Sequence, residues 1–156
     1  MKPTRLIIMG AGGKMGQRLV ALATETPGLA LGAAVERAGH QAVGRDAGEA
    51  AGVGRLGIAI SDDVKRALSD GEVVIDFTSP AATAALIPLA LATKRPLVIG
   101  TTGMSPEGLR AIRDAAASLP IVFAPNMSLG MNVMFKIVAD VARALGPGYD
   151  LEIVEA

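Results

Sequence analysis

The sequence predicts an α/β protein built on a doubly wound, Rossmann-type parallel sheet. Three observations carry that prediction. Apolar runs of strand length alternate with segments of helical period. Most of these runs are apolar throughout, as strands buried on both faces must be. The first run leads into a glycine-rich loop that opens a helix.

Strands are expected at Leu6–Met9, Leu29–Val35, Ile58–Ile60, Val73–Phe77, Leu97–Ile99 and Ile121–Ala124, with helices over 13–25, 62–69, 80–93 and 106–118. Ser79-Pro80 and Ser105-Pro106-Glu107 each read as an N-cap serine followed by proline in the first helical turn. Ser61-Asp62-Asp63 offers a cap with acids on the positive end of the helix dipole. Residues 37–57 are rich in glycine and too long for an ordinary connection, so they form a mobile functional flap or conceal a short helix around Asp46–Ala51. Further on, Met131, Met134, Phe135, Val138, Val141, Ala142 and Leu145 make one helical stripe that stops at Gly146-Pro147. Met131 and Met134 are read there as packing residues rather than as a site. A strand is expected to begin in Tyr149–Ala156, which points to a second domain opening after residue 128 and to a division at 1–128 and 129–156.

Composition excludes several functions. The chain has 156 residues, no cysteine, and 15 basic against 15 acidic residues. One core is within reach, while a disulfide scaffold, a thiolate metal site and a cysteine nucleophile are not, and no metal site is expected. Balanced charge and 3% aromatic residues argue against nucleic acid as a partner. The longest apolar run, Ala84–Ala92, contains Pro88 and falls short of the ~18 residues that span a bilayer, and Leu6–Met9 is too short for a signal peptide. A soluble cytoplasmic protein is expected, with any anion bound locally.

The candidate site begins at Gly10-Ala11-Gly12-Gly13-Lys14-Met15-Gly16. Glycines at a strand-to-helix junction let backbone approach a pyrophosphate, whose charge meets the free N–H groups of the first turn. Met15 breaks a strict G-x-G-x-x-G pattern, leaving Gly10-x-x-Gly13-x-x-Gly16, and a tight turn without a ligand stays compatible. Glu36, twenty residues beyond Gly16 at the end of the second strand, can accept from the ribose hydroxyls of NAD. Arg37 could instead hold the 2′-phosphate of NADP, so the pair suggests that NAD(H) and NADP(H) are both tolerated, unless it is an ordinary solvated ion pair. In a parallel sheet the loops after the first, fourth, fifth and sixth strands share one edge. They read Gly10–Gly16, Asp76-Phe77-Thr78, Gly100-Thr101-Thr102-Gly103 and Ala124-Pro125-Asn126-Met127-Ser128. None supplies a strong general acid. Asp76 is read as a structural carboxylate, and His40, the single histidine, as solvent-exposed.

Together these segments resemble dihydrodipicolinate reductases, the nicotinamide-dependent enzymes of bacterial lysine and diaminopimelate synthesis. The likeness also rests on Val74-Ile75-Asp76-Phe77-Thr78, Val98-Ile99-Gly100-Thr101-Thr102-Gly103 and Ala124-Pro125-Asn126-Met127-Ser128-Leu129-Gly130-Met131-Asn132. The resemblance implies cofactor contacts from Gly10 to Met15, from Glu36 and Arg37, from Phe77 and Thr78, from Gly100, Thr101 and Thr102, and from Ala124, Pro125, Asn126 and Met127. Thr102 would also face a carboxylate of a small dicarboxylate substrate. Met127 stands where an aromatic residue is frequent, and Ser79 where a basic one is common. A strand like Asp150–Ala156 is followed in such enzymes by the histidines and lysine that bind and protonate the substrate. No catalytic residue is therefore expected in this chain, and the chain is expected to be the cofactor-binding part with the start of a substrate-binding and oligomerisation domain. A homo-oligomer is expected for the full-length protein. Two other classes fit the fold: a non-catalytic redox-sensing Rossmann domain, and another two-domain amino-acid or semialdehyde dehydrogenase.

Overall fold

The computed structural model describes residues 2–154. Six strands, β1 (Thr4–Met9), β2 (Leu29–Val35), β3 (Ile60–Ser61), β4 (Val73–Asp76), β5 (Leu97–Ile99) and β6 (Ile121–Phe123), form one sheet in the order β3-β2-β1-β4-β5-β6. Every ladder is parallel, so all strand C-termini share one edge, and the order reverses direction beside β1. That reversal opens the crevice in which doubly wound sheets bind ligands.

Both faces of the sheet are covered, which is why the strands carry apolar residues at successive positions. In β1, Ile7 and Met9 join one core cluster with Leu68, Leu86 and Ile112, while Leu6 and Ile8 join the other with Val20, Ala47 and Ile60. Ile7 and Ile8 are wholly buried, each contributing about 1.5–3 kcal/mol by burial.

The helices are α1 (Lys14–Glu25), α2 (Ala47–Ala51), α3 (Val64–Asp70), α4 (Pro80–Thr93), α5 (Pro106–Ala116) and α6 (Leu129–Leu145). Ser79 and Ser105 cap α4 and α5 as the sequence predicts, their hydroxyls accepting from the amides of Ala82 and Gly108. For α3 the capping carboxylate is Asp63, which accepts from the Arg66 amide.

The connection after β2 contains the short helix rather than a flap. Asp46 caps α2 and accepts from four amides, those of Gly48, Glu49, Leu56 and Gly57, at 2.7–3.1 Å. These bonds hold its carboxyl below the ordinary aspartate range, the Leu56 amide being the largest contributor and partial desolvation opposing them. The segment then folds against β3: Gly44 donates to Ile60 and Ile60 to Arg45, with an antiparallel bridge between Asp46 and Ala59. This pairing displaces the third strand from the expected Ile58–Ile60, because Ile58 and Ala59 are already engaged with Ala47 and Asp46.

The chain divides into two compact units, Met1–Pro125 and Asn126–Ala156. In the second, Ser128 caps α6 through the Met131 amide, and Gly146–Gly148 forms a 3₁₀ turn. No residue of α6 is buried. Met134, read from the sequence as a packing residue, is 46% exposed. The strand expected over Tyr149–Ala156 is absent from its described part, since residues 150–154 have no regular structure and Glu155 and Ala156 lie outside the described residues. A strand requires a partner ladder, and none is present for this segment among the described residues.

Candidate functional site

The glycine loop joins the end of β1 to α1 at the point where the sheet order reverses. Its glycines serve different ends. Gly10 adopts a φ of +69°, a left-handed turn that aims the chain across the sheet edge. Gly16 is buried, and a Cβ there would collide with the Gly10 carbonyl and the Ala11 backbone, so its hydrogen lets α1 lie against the loop. At Gly13 a Cβ would meet only the Gly10 carbonyl, at 3.4 Å, and the residue faces outward. Lys14 and Met15 are exposed beside it.

Gly13 is the N-cap of α1, which has no side-chain cap and no acidic residue in its first turn. Each of α2 to α6 has a capping Asp or Ser. The unsatisfied N–H groups of α1 and the positive end of its dipole are thus presented at the crevice, where they favour an anion.

Glu36 stands against this loop. Its Oε2 accepts from the Gly12 amide at 3.0 Å and its Oε1 from the Arg37 amide at 2.9 Å. Gln17 Nε2 donates to the Gly12 carbonyl, giving the loop a second tie. Arg37 is exposed, its side chain free of ion pairs among the described residues.

His40 departs from expectation. The imidazole is half-buried rather than exposed and packs over Gly12, where an added Cβ would lie 2.6 Å from Cε1. Its Nδ1 accepts from the Ala42 amide. A lone histidine in a glycine-rich connection carries no sequence signal for such a contact.

The loops after β4 and β5 are tied together by a buried polar network. Asp76 is 1% exposed; its Oδ1 accepts from the Thr78 amide and hydroxyl, and its Oδ2 from the Thr83 hydroxyl at 2.6 Å. Thr101 Oγ1 accepts from the Thr78 amide and lies 2.9 Å from the Thr83 hydroxyl. With its one proton given to Asp76, Thr83 can only accept from Thr101. Asp76 is therefore structural, as the sequence suggested. The Thr101 side chain is consumed in the same network, while Thr102 is exposed. The Phe77 ring lies directly over Gly100, leaving no space for a Cβ there. Ala124 is held to the sheet edge by its amide, which donates to the Ile99 carbonyl, and Pro125 ends the first unit. Asn126 and Met127 open the second unit, in which Asn126 Oδ1 accepts from the Ser128 amide.

Between the ends of β1, β2 and β3 and the first turns of α4 lies a cleft of about 200 Å³. Its walls are largely apolar, from Met9, Val35, Val64, Ala82, Leu86 and Leu89, with Glu36, Arg37, Asp62 and Thr78 at polar points. Asp62 and the α4 residues were missed by sequence reasoning. The position of Asp62 directly after the third strand was the signal, since every strand end reaches this edge.

A sheet order reversing beside β1, an uncapped first helix and a carboxylate closing the second strand define a Rossmann-type dinucleotide-fold domain. The family model described as dihydrodipicolinate reductase, N-terminus, matches residues 4–127, and the chain belongs to that family. Among curated relatives, the 4-hydroxy-tetrahydrodipicolinate reductase of Anaeromyxobacter dehalogenans (strain 2CP-1) is 48% identical over 152 residues, covering 97% of this chain and 56% of the relative. That of Alkalilimnicola ehrlichii is 48% identical over 153 residues, covering 98% of this chain and 57% of the relative. A solved structure, dipicolinate-bound dihydrodipicolinate reductase from Paenisporosarcina sp. TG-14, superposes with a TM-score of 0.67 at 23% identity, covering 89% of this chain and 53% of that one. The chain spans little more than half the length of the curated relatives it matches. No helix among the described residues is long and apolar enough to cross a membrane.

Proposed function

We propose that this chain is the NAD(P)-binding portion of a reductase of lysine and diaminopimelate biosynthesis that converts 4-hydroxy-tetrahydrodipicolinate to tetrahydrodipicolinate. The observation that carries the reading is the uncapped N-terminus of α1, opened by Gly13 and flanked by the Glu36 carboxylate. The residues fit a dinucleotide. N–H groups of Lys14, Met15 and Gly16 receive the pyrophosphate, while Gly13, whose own amide donates to the Gly10 carbonyl, leaves room for its approach. Glu36 accepts from the adenosine ribose, and Arg37 can pair with a 2′-phosphate. The apolar cleft behind them takes the adenine ring. Phe77, Thr78, Gly100 and Thr101 follow along the sheet edge toward the nicotinamide, Thr101 through its backbone because its hydroxyl is engaged. Thr102, exposed and unengaged, is assigned to a substrate carboxylate. Ala124 and Pro125 complete the edge, and Asn126 and Met127 are assigned by family likeness alone.

The bound nicotinamide supplies the hydride. The chain's own residues bind and orient it: the Asp76 network holds the Thr78 and Thr101 loops in one piece, and Gly12 and Glu36 move together through their hydrogen bond. The acid and the cations for a dicarboxylate are assigned to the rest of the full-length protein, with residues 129–156 opening its substrate-binding and oligomerisation domain.

Calorimetric titration tests the assignment. NADH and NADPH are expected to bind with dissociation constants within about tenfold of each other. Arg37→Ala should weaken NADPH selectively and Glu36→Ala NADH selectively. If neither substitution alters the ratio of the two affinities, the assignment of this pair fails.

A further inference from the structure

We propose that Asp62 sets the balance between the phosphorylated and unphosphorylated dinucleotides, disfavouring the 2′-phosphate; the proposal rests on assigning the apolar cleft to the adenosine half of the cofactor. Val35 pairs with Ser61 in the β2–β3 ladder, and the Glu36 amide donates to the Ser61 carbonyl at 2.9 Å. Glu36 and Asp62 are the next residues on these two adjacent parallel strands. They therefore stand side by side at the sheet edge, about one strand spacing apart.

Among the residues lining the cleft, those with charge are Glu36, Arg37 and Asp62. Two carboxylates thus face one guanidinium. The two acids differ in how far they are committed. Both Glu36 oxygens accept from backbone amides. Neighbouring Asp63 is spent on capping α3. Asp62 is exposed, and no hydrogen bond or ion pair holds its carboxylate among the described residues.

A ribose hydroxyl is neutral and is little affected by this charge. A 2′-phosphate brings roughly −1.5 to −2 units beside Glu36, and so beside Asp62 as well. Among the residues lining the cleft, Arg37 is the one that attracts it. At such separations near water the repulsion from one carboxylate amounts to about a two- to fivefold change in affinity, and salt screens it. A hydrogen bond from the adenine amine to Asp62 would act differently, since the two cofactors share that amine and would respond equally.

The test is titration of NADH and NADPH against the full chain and its Asp62→Asn and Asp62→Lys variants, at about 20 mM and about 300 mM salt. Because Asp62 is exposed and caps nothing, both variants should fold. Asp62→Asn is expected to tighten NADPH about two- to fivefold at low salt and leave NADH nearly unchanged, with Asp62→Lys giving a larger gain and high salt shrinking both. Equal weakening of both cofactors would overturn the proposal in favour of a base contact, and an unchanged NADPH-to-NADH ratio would overturn it outright. Either result would leave the cleft assignment standing, whereas failure of the unaltered chain to bind either dinucleotide would remove that assignment and the proposal together.

Discussion

Two glycine-rich stretches follow β1 and β2, and most of their glycines do different work. In the loop from Gly10 to Gly16 the crowded positions matter: Gly16 is pressed against the Gly10 carbonyl, and Gly12 lies under the His40 ring and 2.8 Å, at its would-be Cβ, from Ala42. In the connection from Gly39 to Gly57, five glycines have a left-handed φ and nothing near their would-be Cβ atoms. Gly12 and Gly16 provide room and these five provide direction, with left-handed Gly10 and crowded Gly48, whose Cβ would meet the Gly54 carbonyl, as the exception in each stretch. A glycine count cannot separate these uses, and the first stretch opens on the uncapped N-terminus of α1.

The contrast can be broken at its extreme. Gly16→Val should cost on the order of 3 kcal/mol or more, because the clashing atoms are backbone and cannot swing aside. Thermal unfolding followed by circular dichroism measures it, and a melting temperature like that of the parent would contradict the close packing of α1 on the loop. Gly13→Val sharpens the same point from the other side. Its Cβ has space, so the fold should survive, yet the branched side chain fills the approach to the α1 N-terminus. Dinucleotide binding, read by cofactor fluorescence, should fall at least about a hundredfold, equivalent to ~2.7 kcal/mol. Unchanged binding would reduce the loop to a turn.

The smallest effect belongs to the second stretch. Asp46→Asn removes the charge that gathers four amides, and should lower the unfolding temperature modestly while opening residues 44–57 to proteolysis. The pH dependence has a definite sign. Because folding lowers the Asp46 pKa, its stabilisation is fully present above the unfolded value and is lost as pH falls through the folded one. The variant should therefore lose less stability than the parent on acidification below the ordinary aspartate range. Parallel melts across that range would assign the acid sensitivity elsewhere.

Most of the frame was legible because its signals are local. A serine before a proline marks the starts of α4 and α5, and uninterrupted apolar runs mark strands covered on both faces. What escaped depends on contacts between distant residues. The shift of the third strand to Ile60–Ser61 follows from the return of residues 44–47, which no periodicity encodes. The half-burial of His40 depends on where that connection meets Gly12. The candidate site was legible where it is made of backbone and strand ends, at Gly10–Gly16, Glu36 and Arg37, which the structure brings to one sheet edge. Asp62 was overlooked because its neighbours Ser61 and Asp63 gave it an adequate reading as part of a helix cap. The expected strand after Tyr149 shows the converse: an apolar alternation specifies a strand only where a ladder receives it.

The fold-back of residues 44–46 onto Ile60 and Ala59 also bears on how the molecule avoids sticking to itself. A bare outermost strand is a template on which a neighbouring molecule can extend the sheet, and short length alone is an incomplete defence. On the β3 side, this protein occupies the template with its own chain: the amide of Ile60 and its carbonyl are taken by Arg45 and Gly44. At the opposite margin, β6 has three residues with a ladder on its β5 side only, among the described residues. Growth of intermolecular sheet therefore has one point of entry rather than two. Loosening the Asp46 connection would open the second, converting a local defect in a surface loop into a route to aggregation.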